Sequence, residues 1–133
     1  MIPHLHVVCY RWGTRYVAED VNRLAASVAR HLSVPHTMHC VTDDPAGLAA
    51  GIRPHALPEE GVDGIWRKLG TFRRDFLGLE GEYVVSFDLD VVVVGSLDFL
   101  TGRPEVDFWV ARNWARGPSA AQASGSVYRL KVG

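Results

Sequence analysis

One apolar segment that runs directly into two carboxylates constrains the fold of this chain more than any other feature. Tyr83-Val84-Val85-Ser86-Phe87 is the most strand-like run in the sequence, and Asp88-Leu89-Asp90 follows it without a break. A short run this apolar and rich in β-branched residues is typical of a central strand covered on both faces. The sequence therefore predicts a buried strand over residues 83–87 with two acidic residues at its carboxyl end.

The rest of the chain alternates strands with helices. Further strands are expected at residues 5–10, 37–41, 107–111 and 126–130, with an edge strand at 52–57. Helices are expected in three places: one capped by Thr14 with an apolar stripe from Val17 to Leu32, one over residues 66–77 that Gly78 ends, and a short turn at 96–100. This order predicts one α/β domain over residues 1–133, with a mostly parallel sheet flanked by helices. Ligands of such sheets bind beyond the carboxyl ends of the strands, where Asp88 and Asp90 fall.

Charge, cysteine content and hydropathy narrow the class of protein. The 14 Lys and Arg residues nearly balance the 15 Asp and Glu residues, so nothing in the overall charge favours nucleic acid or an anionic membrane. Cys9 and Cys40 lie in apolar runs without metal-ligand spacing, which indicates free buried thiols in a reducing compartment. With neither a signal-peptide pattern nor an apolar run long enough to cross a bilayer, we expect a cytoplasmic protein without a transmembrane segment.

Asp88 and Asp90 form the pair of residues that points most directly to chemistry. In an extended segment, residues two apart project to the same side, so both carboxylates would face one point while Leu89 turns into the protein. Partly buried carboxylates repel each other unless a cation neutralises them, and Mg²⁺ or Mn²⁺ takes one or two carboxylates with phosphate oxygens and water. The pair therefore predicts a metal and a phosphate-bearing ligand, although a plain strand-end turn is the alternative.

Residues 84–97 carry a resemblance to a known family of enzymes. They read Val-Val-Ser-Phe-Asp-Leu-Asp-Val-Val-Val-Val-Gly-Ser-Leu. This segment resembles the Asp-x-Asp strand of the glycogenin-like and bacterial galactosyltransferase-like (family 8-like) glycosyltransferases, which have the GT-A nucleotide-diphospho-sugar fold. Weaker similarities follow in the order of the family's elements, at residues 7–10, 42–44, 66–69, 108–113 and 124–127.

The resemblance implies transfer of a hexosyl unit from a nucleotide-diphosphate sugar, with a UDP-sugar favoured, to a hydroxyl of a glycan or another acceptor. Asp88 and Asp90 would hold Mn²⁺ or Mg²⁺ and, with Arg67, would act in catalysis. The implied nucleotide-sugar-binding residues are Tyr10, Trp12, Lys68, Asn113 and Ser124. Of these, the aromatic pair would stack against the base, the lysine would face the phosphates, and the last two would contact the sugar or the acceptor.

The sequence departs from the family in two respects. Family members are longer and supply a further metal ligand, commonly His, from a C-terminal region, whereas all six histidines here precede Asp88, with spacings that indicate ordinary surface or core roles. Ser124 also stands where the family usually has Asn. The chain is therefore expected to be either a fragment or a reduced protein that binds a donor without efficient transfer. A fragment would leave apolar surface uncovered, so we expect self-association into a homo-oligomer.

Two other functions fit parts of the same pattern. Haloacid-dehalogenase-like phosphatases also place Asp-x-Asp after an apolar strand, with the first Asp attacking phosphorus. Their motif usually continues into Gly- or Thr-rich residues near the start of the chain, whereas the run Val91-Val92-Val93-Val94 follows here. The third interpretation is a non-catalytic module in which Asp88 and Asp90 only form a turn.

Overall fold

The computed structural model of the protein describes residues 1–57, 70–112 and 123–133. These residues form one sheet of six strands in the order β3-β2-β1-β4-β6-β5. The strands are β1 (Leu5–Arg11), β2 (His36–Thr42), β3 (Ile52–Ala56), β4 (Tyr83–Phe87), β5 (Phe108–Arg112) and β6 (Ala123–Lys131). Each expected strand is present, and most of the predicted ends lie within two residues of the observed ones; β6 begins three residues earlier than expected.

The direction of the strands sets which chain segments meet at one edge of the sheet. β1 pairs in parallel with β2 and β4, and β2 pairs in parallel with β3. β6 lies between β4 and β5 and is antiparallel to both, so β1 to β5 all run one way and β6 runs the other way. The mostly parallel sheet is therefore confirmed. β3, which contains Pro54, lies at the edge as predicted, since a proline cannot donate to a second neighbour.

One face of the sheet is covered by α1 (Ala18–His31), which connects β1 to β2. The predicted apolar stripe is confirmed: Val21, Leu24 and Val28 are buried in the core on this face. The predicted cap is wrong, because the helix begins after Val17, whose N–H donates to the Asp20 carboxylate at 2.8 Å. An acidic residue in the first turn satisfies a free backbone N–H here, and it also suits the helix dipole.

The alternation of the strands divides the core between the two faces of the sheet. On the face of α1 lie Val7, Cys9, Cys40, Val85 and Phe87, among others. On the opposite face lie Val8, Tyr10, Val41, Phe76, Val84, Tyr128, Leu130 and Val132. The central strand β4 is thus covered on both sides as predicted. Both cysteines are buried as predicted, and neither forms a disulfide in the described part of the chain.

The helix predicted over residues 66–77 is not an α-helix in the part that the structure describes. Backbone bonds from Arg73 N–H to Gly70 O and from Phe76 N–H to Arg73 O span three residues, and a short 3-10 helix occupies Phe76–Gly78. Leu77 and Gly78 have φ of 51° and 70°, which the right-handed α-helix does not allow. Within the described ranges α1 is the one α-helix, so the sheet is less flanked by helices than predicted. None of the helices found there is both long and apolar enough to cross a membrane.

Candidate functional site

The carboxyl ends of β1, β2 and β4 meet at one edge of the sheet. Arg11 and Thr42 end β1 and β2 as register partners, and Asp88 directly follows β4, which pairs with β1 on its other side. The chain continues from β1 to β2 on one side of β1, whereas β4 pairs with β1 on its other side. Such a switch point leaves a crevice between the strand ends, which is where ligands of open α/β sheets bind.

Asp88 and Asp90 lie in a β-turn rather than in an extended segment. The Val91 N–H donates to the Asp88 carbonyl at 3.2 Å, so Asp88 is the first and Asp90 the third residue of the turn. The Asp88 N–H donates to the Ser126 carbonyl of β6 at 2.9 Å, which anchors the start of the turn to the sheet. Strand alternation, from which we predicted that both carboxylates face one side, therefore does not apply here, because the strand ends at Phe87.

The two carboxylates also differ in exposure. Asp88 is half-buried and Asp90 is exposed, while Leu89 packs against the core as predicted. Water screens the charge of an exposed carboxylate, so mutual repulsion in partial burial does not by itself require a cation at this turn. The case for a metal site consequently rests on where the turn lies in the fold.

A bulge in β6 brings backbone atoms against the acidic turn. Val110 of β5 pairs with Tyr128, but the next β5 residue, Ala111, pairs with Ser124, so the register between the two strands shifts at residues 125–127 of β6. Ser126, whose carbonyl holds Asp88, is in this bulge. Bulges are frequent beside functional sites because they redirect a strand locally. Sequence reasoning did not single out Ser126, since its role depends on a backbone atom.

The ends of β1 and β2 are fastened to each other next to this turn. The Asp43 carboxylate accepts a hydrogen bond from the Gly13 N–H at 3.0 Å, and Arg11 Nη1 donates to the Asp44 carbonyl at 3.1 Å. The Thr42 hydroxyl oxygen accepts from the Asp44 N–H at 3.1 Å, as in turns whose side chains bond their own backbone. Asp43 therefore shapes the loop after β1.

The two aromatic residues at the end of β1 have different environments. Tyr10 is 5% exposed, its hydroxyl lies 2.5 Å from the Thr71 hydroxyl, and burial raises the pKa of the phenol despite that hydrogen bond. Trp12 packs partly against the core and is half-buried. Of the two residues, Trp12 is therefore the more accessible one.

The remaining predicted site residues are not placed by the structure. Arg67, Lys68 and Asn113 lie outside the described residues, and the same holds for the side chain of Ser124, whose backbone belongs to β6. Their assigned roles stay predictions.

An apolar groove of about 500 Å³ begins where the acidic turn ends. Its walls come from residues 91–97, from Phe87 at the end of β4, and from Phe99 and Trp109. Val92 and Val94 are 79% and 91% exposed, whereas Val91 and Val93 pack against the core. The valine run thus continues past the acidic turn with one apolar side open.

The donor set at the turn fits a divalent cation that keeps places for other ligands. Among the residues described, no group of three or more His, Cys, Asp or Glu side chains is arranged to hold a metal ion. Asp88 and Asp90 supply hard oxygen donors, and Mg²⁺ or Mn²⁺ commonly takes one or two carboxylates and completes its shell with phosphate oxygens and water. The residues present are therefore chemically compatible with Mn²⁺ or Mg²⁺ bound together with a diphosphate.

Comparison with known proteins relates the fold to a glycosyltransferase. No protein-family model matches the chain, and no curated protein matches it by sequence. The crystal structure of the glycosyltransferase GlyE of Streptococcus pneumoniae TIGR4 superimposes with a TM-score of 0.68 at 14% identity, covering 95% of this chain. Its apo form gives a TM-score of 0.61 at 16% identity, again over 95% of the chain. The chain shares its fold with a glycosyltransferase.

The extent of this match limits what it shows. The chain spans about one third of the length of GlyE, 33% in both comparisons. At 14–16% identity the similarity establishes the fold alone. The activity, the family 8-like assignment and the choice of substrates therefore have to be argued from the site.

Proposed function

We propose that the protein transfers a hexosyl unit from a nucleotide-diphosphate sugar, preferably a UDP-sugar, to a hydroxyl of a glycan or another acceptor. The observation that carries the proposal is the Asp88-Leu89-Asp90 turn at the carboxyl end of β4, in a sheet that matches a glycosyltransferase over 95% of the chain. An acidic turn at the switch point of such a sheet lies where a phosphate-bearing ligand is expected to bind.

In this proposal the acidic turn holds Mn²⁺ or Mg²⁺ through Asp88 and Asp90. When bound, such a cation stabilises the negative charge that builds on the departing nucleoside diphosphate. Trp12, which follows β1, is the residue we favour for stacking on the base, and Tyr10 belongs to the core cluster against which Trp12 packs. Arg67 and Lys68 would add positive charge near the phosphates, and Asn113 and Ser124 would contact the sugar or acceptor.

Donor binding is a more direct test than turnover, because the chain covers only one third of the similar structures. We would measure thermal unfolding with a panel of UDP- and GDP-sugars, with and without Mn²⁺. A ligand present at about 100 times its dissociation constant stabilises the folded state by about 2.7 kcal/mol, which raises the melting temperature by several degrees. We expect this rise for at least one sugar nucleotide, and only when the cation is present.

Variants of the acidic turn separate the site from the fold. Asp88→Asn and Asp90→Asn should each remove most of the cation-dependent rise, since a neutral amide is a weaker ligand for a hard cation. Asp107→Asn is the matched control: this exposed aspartate directly precedes β5, at the opposite edge of the sheet from the acidic turn, and the variant should keep the full rise. A rise that survives in both turn variants would contradict the site. Phosphate release from simple phosphomonoesters would favour the phosphatase instead.

A further inference from the structure

Three histidines on neighbouring strands form a continuous hydrogen-bonded chain on the face of the sheet opposite α1. His6 Nδ1 of β1 lies 3.0 Å from His39 Nε2 of β2, and His39 Nδ1 lies 2.8 Å from His55 Nε2 of β3. The ring centroids are 5.2 Å and 5.0 Å apart along this histidine chain. The members are 33 and 16 residues apart in sequence, so only the register of the parallel strands brings them together.

When the ring of His39, the middle histidine, is neutral, both of its nitrogens are hydrogen-bonded. A neutral imidazole has one N–H donor and one acceptor nitrogen, and both nitrogens of His39 are engaged. His39 therefore accepts from one neighbour and donates to the other. The ring is 2% exposed, so water does not compete for either nitrogen.

A proton added to His39 would disturb this arrangement. The imidazolium has two donors and no acceptor, so the neighbour that had donated to it would have to change tautomer. The added charge would also be buried in the core, which is unfavourable. Burial is accordingly the largest cause that lowers the pKa of His39, to about 4. His55, His6, Arg53 and His4 all act in the same direction, in decreasing order.

The outer members of the histidine chain resist protonation as well. Burial first lowers the pKa of His6, followed by the nearby His4, while Glu82 acts in the opposite sense and Arg53 in the same sense. Burial also lowers the pKa of His55, with Arg53 adding to the effect. Glu82 is thus the one carboxylate that acts on the histidine chain among the described groups, and it acts on His6 at the end of the chain.

We propose that this histidine chain makes the β1-β2-β3 half of the sheet acid-sensitive. The hydrogen bonds that join the three strands persist while the central imidazole is neutral, and acid weakens them. The ends of β1 and β2 also carry the loops fastened by Asp43 and Arg11, so loosening these strands would disturb that edge of the sheet. The proposal does not depend on glycosyl transfer.

The direction of the pH effect follows from the lowered pKa values. Between pH 6.5 and about 4 the unfolded chain binds a proton at His39 that the folded chain does not, so acid favours unfolding over this range. The folded state is therefore most stable, as far as His39 is concerned, above pH 6.5, and this stability declines as the pH falls below that value. The pKa values of Asp98 and Glu105 are lowered by hydrogen bonds below 3.8 and 4.5, so these carboxylates act at lower pH. These two carboxylates therefore contribute little to the pH dependence between pH 5.0 and pH 7.5.

The test measures urea unfolding of the wild-type protein, His39→Gln and His36→Gln from pH 5.0 to pH 7.5. For the wild type we expect the unfolding equilibrium constant to rise roughly tenfold or more as the pH falls to 5.0. His39→Gln should give a clearly smaller rise, because the most strongly shifted group is gone and only the outer histidines, whose pKa values are also lowered, remain. His36→Gln is the matched control: His36 also lies in β2 but is not a member of the histidine chain, and its variant should keep the wild-type rise.

A second measurement holds even if His39→Gln does not fold. The imidazole ¹⁵N signals of His39 in the wild-type protein should remain those of a neutral ring at pH 5.0. A His39 ring that is protonated at pH 5.0 in the folded protein would overturn the proposal. So would a folded His39→Gln variant that keeps the full pH dependence of the wild type.

Discussion

Replacing Arg129 should be among the most destabilising single changes in the described part of the chain. This β6 residue is 3% exposed, and its guanidinium lies 5.4 Å from the centre of the Tyr83 ring. It donates to the backbone carbonyls of Leu100, Gly102, Arg103 and Val106 at 2.7, 2.5, 2.8 and 3.1 Å. One side chain thus holds the connection that leads from the acidic turn to β5.

The magnitude follows from those four bonds. A hydrogen bond to a charged group contributes about 1.5–3 kcal/mol, but bonds that share one guanidinium are not additive. Arg129→Met removes all the donors and leaves four carbonyls without them, so we expect a loss of about 3–5 kcal/mol in the free energy of unfolding. Single domains are stable by about 5–15 kcal/mol, so this is a large fraction of the total. Arg129→Lys should lose about half as much, because one ammonium cannot reach four carbonyls.

Urea denaturation followed by circular dichroism measures the loss directly, and an unchanged m-value would show that the comparison is valid. Arg74→Met is the matched control. The Arg74 side chain is 84% exposed and pairs with the exposed Glu80, so its loss should be within about 0.5 kcal/mol. If Arg129→Met unfolds within 1 kcal/mol of the wild type, the four-carbonyl network does not stabilise the fold as argued.

Two further predictions concern the segments around the site. Tyr10→Phe should lower the free energy of unfolding by about 1–2 kcal/mol, because the hydroxyl of the fully buried Thr71 loses its hydrogen-bond partner. If the Tyr10→Phe, Thr71→Val double mutant loses the sum of the two single changes, the two hydroxyls are not directly coupled. Gly47→Ala should lower the denaturant midpoint more than Gly13→Ala does. Both glycines have positive φ, but of the two added Cβ atoms only the one at Gly47 meets another atom, Ala18 Cβ at 3.1 Å. Equal decreases in the midpoint would show that this contact relaxes freely.

The strands could be predicted because their signal is local. The runs that became β1 and β4 are short, apolar and rich in β-branched residues, and both are covered on two faces. The apolar stripe of α1 could be predicted for the same reason, because it follows from residues spaced three or four apart in one segment. Over its described residues 70–77 the second predicted helix is not α-helical, because Leu77 has a positive φ and because the Tyr10 hydroxyl and the buried Phe76 fasten the segment to the sheet. Tertiary contacts of this kind override helical periodicity.

The candidate site was predictable in position and not in geometry. That Asp88 follows a central strand at its carboxyl end could be read from the order of residues. The turn that carries it depends on the Ser126 carbonyl, which reaches it only because β6 is reversed and bulged. The exposure of Asp90 likewise follows from the turn, so the predicted repulsion between buried carboxylates did not survive.

By itself the sequence determined which segments are strands, which face of α1 is buried, and that two carboxylates end the central strand. Those features depend on a periodicity of two or about four residues, which neighbours along the chain impose. Only the tertiary structure decided the strand order, the direction of β6, the carbonyl shell of Arg129 and the meeting of His6, His39 and His55. Each of these joins residues 16 or more apart through sheet register and packing, and no local pattern encodes that register.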